Sequence, residues 1–366
     1  MKIVYIITLA NLGGAQVHLK DLIYHLPKNI DPYIIIGEDG WLSDEMKKMK
    51  LKVCIVPTLV RQISPQNDIK AVFNIKKEIE LIRPDIIHCH SSKAGIIGRV
   101  VAKMCNVPVV FTAHGWAFTD GISPWKKQLY AHIEKFIAYW TNKIICVSEY
   151  DKNIALNVMP KQDDKLITIH NGIPDRYFKK NDITKKDFRL VMIARFSKPK
   201  NQRLLIETVA KLIEYNISLR LTLVGDGPNF LAMKNLVNKL DIAKYVEFLG
   251  SRTDIAEILL YNDVFILISE WEGFPISIIE AMRQGLPVIA SDVGGVSEAV
   301  IDNETGLLLP INNIAILKEK ILKLYYDRKL AHLMGLKGRE QYLNYFTSDK
   351  MMKQIIGVYE DVLRKG

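Results

Sequence analysis

Phe188-Arg189-Leu190-Val191-Met192-Ile193-Ala194-Arg195-Phe196-Ser197-Lys198-Pro199-Lys200-Asn201-Gln202 carries the pattern that the rest of the chain repeats. A short Val- and Leu-rich run closed by a polar, Pro-containing loop reads as a buried parallel strand. The amphipathic segment opening at Gln202 reads as its crossover helix. Before it, similar apolar runs lie at Ile3 to Thr8, Tyr33 to Gly37, Lys52 to Val56, Asp85 to Cys89, Val107 to Thr112, Lys143 to Val147 and Leu166 to Ile169. After it they lie at Arg220 to Val224, Val246 to Leu249, Val264 to Ile268, Pro287 to Ser291 and Gly306 to Leu309, with helical sequence between. Such alternation calls for parallel sheets covered by helices. The expected fold class is α/β, with two doubly wound, Rossmann-like domains at residues 1–175 and 188–347, joined by the polar stretch Asp175 to Asp187. A closing amphipathic helix, Ser348 to Leu363, lies in 348–366, and whether it returns to the first domain stays open. Ligands of open parallel sheets bind beyond the carboxyl ends of strands, so the site is expected in a cleft that the two domains face.

The 366 residues are 49% apolar and 25% charged, which excludes disorder and suits two cores better than one. No run reaches the roughly 18 apolar residues of a membrane-spanning helix. No small-x-small cleavage pattern follows Met1 to Ala10, so Lys2 to Thr8 is read as a first strand and not as a signal peptide. Cys54, Cys89, Cys105 and Cys146 have no paired spacing, which makes a reducing cytoplasm the expected compartment. The net charge of +10 is uneven: residues 1–180 hold 25 Lys and Arg against 17 Asp and Glu, and residues 181–366 hold 25 against 23. A basic first half favours an anionic partner, whether nucleic acid, an anionic membrane or a phosphorylated substrate, and charge alone does not choose.

The chemistry-bearing residues follow the strands. Gly13 and Gly14 sit between the first strand and a helix at Val17 to Leu26, where the pair serves either plain turn geometry or the approach of a phosphate to free amides. The third glycine of a dinucleotide fingerprint and the Lys-Ser/Thr of a P-loop are both missing. Arg195 and Lys200 share one strand-to-helix loop, which is either a solvated basic loop or a clamp for a diphosphate. Glu272-Gly273-Phe274-Pro275-Ile276-Ser277-Ile278-Ile279-Glu280 follows the strand Val264 to Ile268. Pro275 suits a first helical turn, with amides near Ser277 and Ile278 free for an anion. Glu280 has mostly apolar neighbours and needs a partner, such as a ribose diol. His88 and His90 alternate onto one face of a strand, yet no further ligand stands at a recognisable spacing, so no metal site is expected.

Together these motifs resemble the family 4 glycosyltransferases, retaining enzymes of the GT-B fold that use nucleotide sugars. The resemblance runs over essentially the whole chain and keeps the family's order: Gly13-Gly14, His114-Gly115-Trp116, Asn171-Gly172-Ile173, Arg195 with Lys200, Gly225-Asp226-Gly227-Pro228, then Glu272 and Glu280. It implies that Arg195 and Lys200 hold the donor diphosphate, Glu280 the ribose, Glu272 the transferred sugar and His114 a sugar hydroxyl near the reacting carbon. His114, Glu272, Arg195 and Lys200 are thereby the catalytic candidates. Gly13, Gly14, Gly225, Ser251, Arg252, Gly273, Phe274, Pro275, Ser277 and Ile278 complete the donor side, with Gly250-Ser251-Arg252 bordering the base. Gln16, His90, Ser91, Trp116 and Asn171 are the acceptor-side candidates. Ala194, Asn201 and Gln16 depart from the Gly, Gly and Glu that many members carry, and Gln16 leaves the acceptor side open.

Breaking an anomeric carbon to phosphate bond builds negative charge on the departing diphosphate, which fixed cations stabilise. The resemblance implies same-face transfer, no cofactor and no metal, a UDP-sugar donor, and a lipid-linked (polyprenyl diphosphate) saccharide acceptor at the inner membrane face. A nucleic-acid partner explains the charge but not the Glu and Gly-Pro loops. A sugar-nucleotide epimerase of the same fold is the alternative enzyme, and a non-enzymatic sugar-binding protein is disfavoured by the absence of an export signal. Within Ser123 to Trp140, Trp125, Leu129, Ile133, Phe136 and Trp140 recur at helical spacing, which predicts a stripe packed on the core with lysines facing water. The competing reading lays those aromatics on an anionic membrane.

Overall fold

The computed structural model describes residues 1–119, 121–178 and 187–365. They form two compact units, one of residues 1–172 with 348–366 and one of residues 173–347.

In the first unit the strands are β1 (Lys2–Ile7), β2 (Asp31–Ile36), β3 (Lys52–Ile55), β4 (Ile86–His90), β5 (Val109–Ala113), β6 (Lys143–Cys146) and β7 (Leu166–Thr168). Helices α1 (Gly14–Tyr24), α2 (Trp41–Lys48), α3 (Pro65–Ile82), α4 (Ser92–Cys105), α5 (Pro124–Ile137) and α6 (Glu149–Val158) alternate with them. The sheet is parallel in the order β3-β2-β1-β4-β5-β6-β7, so the strand order reverses between β1 and β4. Both faces are covered, which is why β1 reads as a continuous apolar run. Val4 and Ile6 pack on one side with Ile75 of α3 and Ile97 of α4. Ile3, Tyr5 and Ile7 pack on the other with Leu19 and Leu22 of α1. β5 opens at Val109, not Val107, because Pro108 has no N–H to donate and only accepts, from the Ile87 amide at 2.9 Å.

The second unit has β8 (Phe188–Ile193), β9 (Leu219–Val224), β10 (Val246–Gly250), β11 (Val264–Leu267), β12 (Val288–Ser291) and β13 (Gly306–Leu309), in the parallel order β10-β9-β8-β11-β12-β13. Its helices are α7 (Gln202–Glu214), α8 (Phe230–Lys239), α9 (Ile255–Leu260), α10 (Ile276–Arg283), α11 (Val296–Ala299), α12 (Ile314–Tyr326) and α13 (Arg328–Tyr345). The unit starts earlier than the sequence suggests. Ile173 donates to Phe346 at 3.0 Å, the Asp175 carboxylate takes both Arg339 guanidinium nitrogens at 2.7 Å, and the Phe178 amide reaches Gln284 at 3.1 Å. The stretch expected as a linker therefore begins inside the unit, and its residues 179–186 lie outside the described residues.

The closing helix, α14 (Ser348–Lys365), belongs to the first unit. Met351, Met352, Ile355, Val358, Tyr359 and Val362 enter the core beside β1. Tyr359 also anchors a buried polar chain: its hydroxyl meets Tyr5 Oη at 3.2 Å and His88 Nδ1 at 2.6 Å, and His88 Nε2 meets Thr112 Oγ1 at 2.8 Å.

Helix α5 is turned the opposite way from the expected core stripe. Its buried residues are Glu134 and Ile137, whereas Trp125 is 63% exposed, Phe136 61% exposed and Leu129 also exposed. Ile133 and Trp140 are half-buried. Glu134 is the reason. It accepts from the fully buried Arg99 Nη2 at 2.7 Å, and a buried guanidinium requires such a partner. At 100° per residue Glu134 lies opposite Trp125, Leu129 and Phe136, so satisfying Arg99 turns the aromatic ridge outward. Among the described residues no helix is long and apolar enough to cross a membrane.

Candidate functional site

In the second unit the strand order reverses between β8 and β11, and the loops leaving these two strands carry the predicted phosphate clamp and the Glu272 motif. Open parallel sheets bind ligands at this point of reversal. The loops are stitched together by a bridge between Lys200 and Ser269 and by the Asn201 amide on Ile268 O at 2.9 Å. Lys200 Nζ donates to Glu272 Oε1, which also accepts from Ser269 Oγ at 2.6 Å. The side chains are 18% and 9% exposed, so the pair is largely withdrawn from water. Both bonds use Oε1, and Oε2 is unclaimed among the described residues. An ammonium has three donors, so Lys200 keeps two for another ligand. Arg195 is exposed, with its carbonyl held by Gln202 Nε2 at 3.0 Å and its guanidinium without a partner among the described residues.

Glycines let neighbouring loops close in. Gly225 follows β9 with φ +129°, and a Cβ there would stand 2.2 Å from Ala194 O, directly under the Arg195 loop. Gly294 has φ +57°, and a Cβ there would stand 1.8 Å from Glu272 O. Pro275 caps α10 from outside the helix, one position before the first turn expected for it. The Ile278 amide is used by Pro275 O at 3.2 Å and its side chain is fully buried, so among the described residues the free amides of this helix start are those of Ile276 and Ser277, one residue earlier than expected. Phe274 is buried against Phe346, ring centroids 5.3 Å apart, so its ring belongs to the core. Gly273 O accepts from the Gly295 amide at 2.9 Å. Glu280 stands half-buried near Arg283 on α10. Ser251 and Arg252 are exposed after β10, with Arg252 Nε on Asp254 at 2.7 Å.

The first unit repeats the arrangement at the reversal between β1 and β4. Thr8 Oγ1, after β1, meets Ser91 Oγ, after β4, at 2.9 Å. Gly13 and Gly14 open α1, and apart from its own helix and chain neighbours no described residue lies within 4 Å of where a Gly14 Cβ would be. Gln16 folds back, donating from Nε2 to Leu9 O at 3.1 Å. Beneath this loop four histidines meet. His88 and His90 share one face of β4 with centroids 4.3 Å apart, and His90 Nδ1 lies 3.1 Å from His114 Nε2. His18, from α1, stands edge-on to His114 with centroids 4.8 Å apart.

His18 has no precedent in the sequence reading. Its signal was position: four residues before Leu22 it falls on the buried face of α1. Burial pushes its pKa down to about 4 against the opposing pull of the Asn171 side chain, and pushes His88 down to about 3. Burial first, and then mutual repulsion among the rings, holds His90 and His114 well below the ordinary range, so all four imidazoles are neutral at pH 7. Asn171 is buried at the end of the unit. Trp116 does not belong on an acceptor face. It is 5% exposed, stacked on Phe118 at 5.0 Å, and its indole N–H donates to Asp151 O at 2.9 Å. A Trp immediately after Gly115, where φ is +116°, is redirected into the core by the turn.

Two family models match the chain: Glycosyltransferase Family 4 over residues 12–177 and Glycosyl transferases group 1 over residues 174–341. The UDP-Gal:alpha-D-GlcNAc-diphosphoundecaprenol alpha-1,3-galactosyltransferase of Escherichia coli is 32% identical over 99% of this chain and 97% of its own. The N-acetyl-alpha-D-glucosaminyl L-malate synthase of Bacillus anthracis is 31% identical over 76% of this chain and 75% of its own. Among solved structures, Anabaena HepE in complex with UDP-glucose superposes with a TM-score of 0.87 at 20% identity, over 99% of this chain and all of that one, a likeness of fold. With a strand-order reversal in each unit furnished with the expected loops, two family models along the chain and a relative 32% identical over 99% of it, the chain belongs to the family 4 glycosyltransferases of the GT-B fold.

Proposed function

We propose that the protein transfers a hexose or N-acetylhexosamine, with retention of anomeric configuration, from a UDP-sugar to a lipid-linked saccharide in surface polysaccharide synthesis. Galactose from UDP-galactose and an N-acetylglucosaminyl diphosphate lipid, as in the Escherichia coli relative, are the first substrates to test. The observation that carries the reading is the Lys200–Glu272 pair at the β8/β11 reversal, because it sets a cation for a diphosphate beside a carboxylate for a sugar.

In this reading the two free donors of Lys200 and the free guanidinium of Arg195 take the diphosphate, and the amides of Ile276 and Ser277 add the positive end of α10. Glu272 Oε2 accepts from a hydroxyl of the transferred sugar, Glu280 holds the ribose, and Gly250-Ser251-Arg252 borders the uracil. Gly13 and Gly14, in the first unit, leave the start of α1 open to an anion. His114, kept neutral by burial, shares a hydrogen bond with a sugar hydroxyl without adding charge. Gln16, His90, Ser91 and Asn171 stand on the acceptor side. The bond from C1 to the β-phosphate oxygen breaks, the acceptor oxygen bonds to C1 on the same face, and its proton passes to the departing phosphate. With two side-chain cations on the leaving group, the reaction requires no metal.

The outward ridge of α5 supports a lipid-borne acceptor. Trp125, Leu129 and Phe136 line the exposed face, with Lys126 and Lys135 to either side, an arrangement suited to anionic headgroups on the cytoplasmic side of a membrane.

The test is incubation with UDP-galactose, UDP-glucose and their N-acetyl forms, with and without a short-chain N-acetylglucosaminyl diphosphate lipid, following released UDP and the product anomer. An α-linked disaccharide lipid supports the proposal. Isomerised donor without acceptor points to the epimerase, and no binding of any UDP-sugar overturns the reading.

A further inference from the structure

Three imidazoles converge inside the first unit, and among the described residues one of them, His90, carries a buried ring nitrogen with no partner. His18 comes from α1, His90 from the end of β4 and His114 from the loop after β5. One nitrogen from each lies within 4.8 Å of the other two. His90 Nδ1 and His114 Nε2 are already 3.1 Å apart. A tetrahedral ion with metal–nitrogen bonds of about 2.0–2.1 Å sets its ligand atoms roughly 3.3 Å apart, so this pair stands at the edge of such a site. His18 closes the triangle by moving in at most about 1.5 Å.

Among the described residues Nε2 of His90 is buried without a hydrogen-bond partner, and the buried His18 ring has only the Asn171 side chain beside it. Buried polar atoms are nearly always paired, and an orphan group calls for water or an ion beside it. The three rings are also in the form a metal takes, since a neutral imidazole offers a lone pair without first losing a proton. His114 is only half-buried, which leaves a side open for a fourth ligand.

We propose that His18, His90 and His114 form a tris-imidazole site for a divalent transition metal of the Zn²⁺ type, with its fourth position open. Nitrogen ligands favour Zn²⁺, Co²⁺ or Ni²⁺ over Mg²⁺. The site shares His90 and His114 with the proposed transfer site but not the diphosphate, which Arg195 and Lys200 neutralise in that reading. A metal held by His114 withdraws that ring from the sugar, so the ion is an inhibitor and not a cofactor. That consequence rests on the proposed function; the binding does not.

The experiment titrates the full, tag-free chain with Co²⁺ alone. The expected result is the visible d–d absorption of four-coordinate Co²⁺ at one ion per chain, bleached by Zn²⁺. The variants His18→Gln and His114→Gln, folded by far-UV circular dichroism, are expected to lose the band and to weaken Zn²⁺ binding by more than about tenfold. If His18→Gln fails to fold, the half-open His114→Gln decides. No band from the wild type up to about 1 mM Co²⁺, or a band unchanged in the folded variants, overturns the site. UDP binding by calorimetry, which reads the second unit, reports separately on the transfer.

Discussion

Lys200 and Glu272, 72 residues apart in sequence, share one ion pair at the β8/β11 reversal, with Ser269 Oγ on the same carboxylate oxygen at 2.6 Å. Each holds the other in place, which in the proposed reaction sets Lys200 for the diphosphate and Glu272 for the transferred sugar. Lys200→Met and Glu272→Gln are expected to lower kcat by about 10²- to 10³-fold each, and the double variant no further than the worse single one. Steady-state kinetics on the three proteins check this. Effects that multiply would mean that the two side chains act independently.

Arg195 stands in water with its guanidinium unclaimed among the described residues. Arg195→Ala is therefore expected to leave stability within about 0.5 kcal/mol while weakening UDP binding by roughly 10- to 100-fold, the worth of a charge-assisted hydrogen-bonded pair. Urea unfolding and calorimetry on one preparation separate the two effects. Unchanged UDP affinity removes Arg195 from the clamp.

The Arg99–Glu134 pair is buried on both sides, and Arg99 also lies over Phe111 at 4.3 Å. Glu134→Ala strands a cation inside the first unit and is expected to destabilise it by about 3–5 kcal/mol, whereas Arg99→Met with Glu134→Leu recovers most of that loss. Denaturant midpoints of the single and double variants are the measurement. A single variant as stable as the wild type contradicts the burial.

Acid should unfold the first unit early. Burial holds His18 at about 4 and His88 at about 3, below the 6.5 of the unfolded chain. The unfolded state therefore binds protons first as pH falls. The stability from these neutral rings is complete above pH 6.5 and is lost between there and about pH 3. Thermal unfolding midpoints of the wild type and His18→Gln at pH 7.5 and 5.5 test it: the drop should be smaller in the variant.

The α5 ridge predicts how the protein meets lipid. Trp125→Ser with Phe136→Ser, or Lys126→Glu with Lys135→Glu, should abolish sedimentation with anionic vesicles and leave donor hydrolysis in solution intact. Wild-type protein that stays in the supernatant, or variants that still pellet, would remove the membrane from the account.

The α/β alternation, the thirteen strands and the loops that follow them were legible in the residue pattern alone, because apolar period and turn chemistry are local properties. So was the pairing of Arg195, Lys200, Glu272 and Glu280 with donor chemistry as an expectation, since strand ends are where such sheets bind ligands. What depended on partners distant in sequence was not legible. Helical spacing places the Trp125 ridge in the core, yet the buried charge of Arg99 claims Glu134 and turns that face to solvent. Trp116 looks like a site residue beside His114 but drops beneath the sheet, where Asp151 O takes its indole N–H. The closing helix shows its apolar face in sequence, but only packing against β1, with Tyr359 bonded to Tyr5 and His88, assigns it to the first unit. The three-histidine cluster draws on α1, β4 and the loop after β5, and only the strand order β1-β4-β5 brings rings from positions 18, 90 and 114 together. Local periodicity determines which elements form; long-range pairing of buried polar groups, which no periodicity encodes, decides which way those elements face.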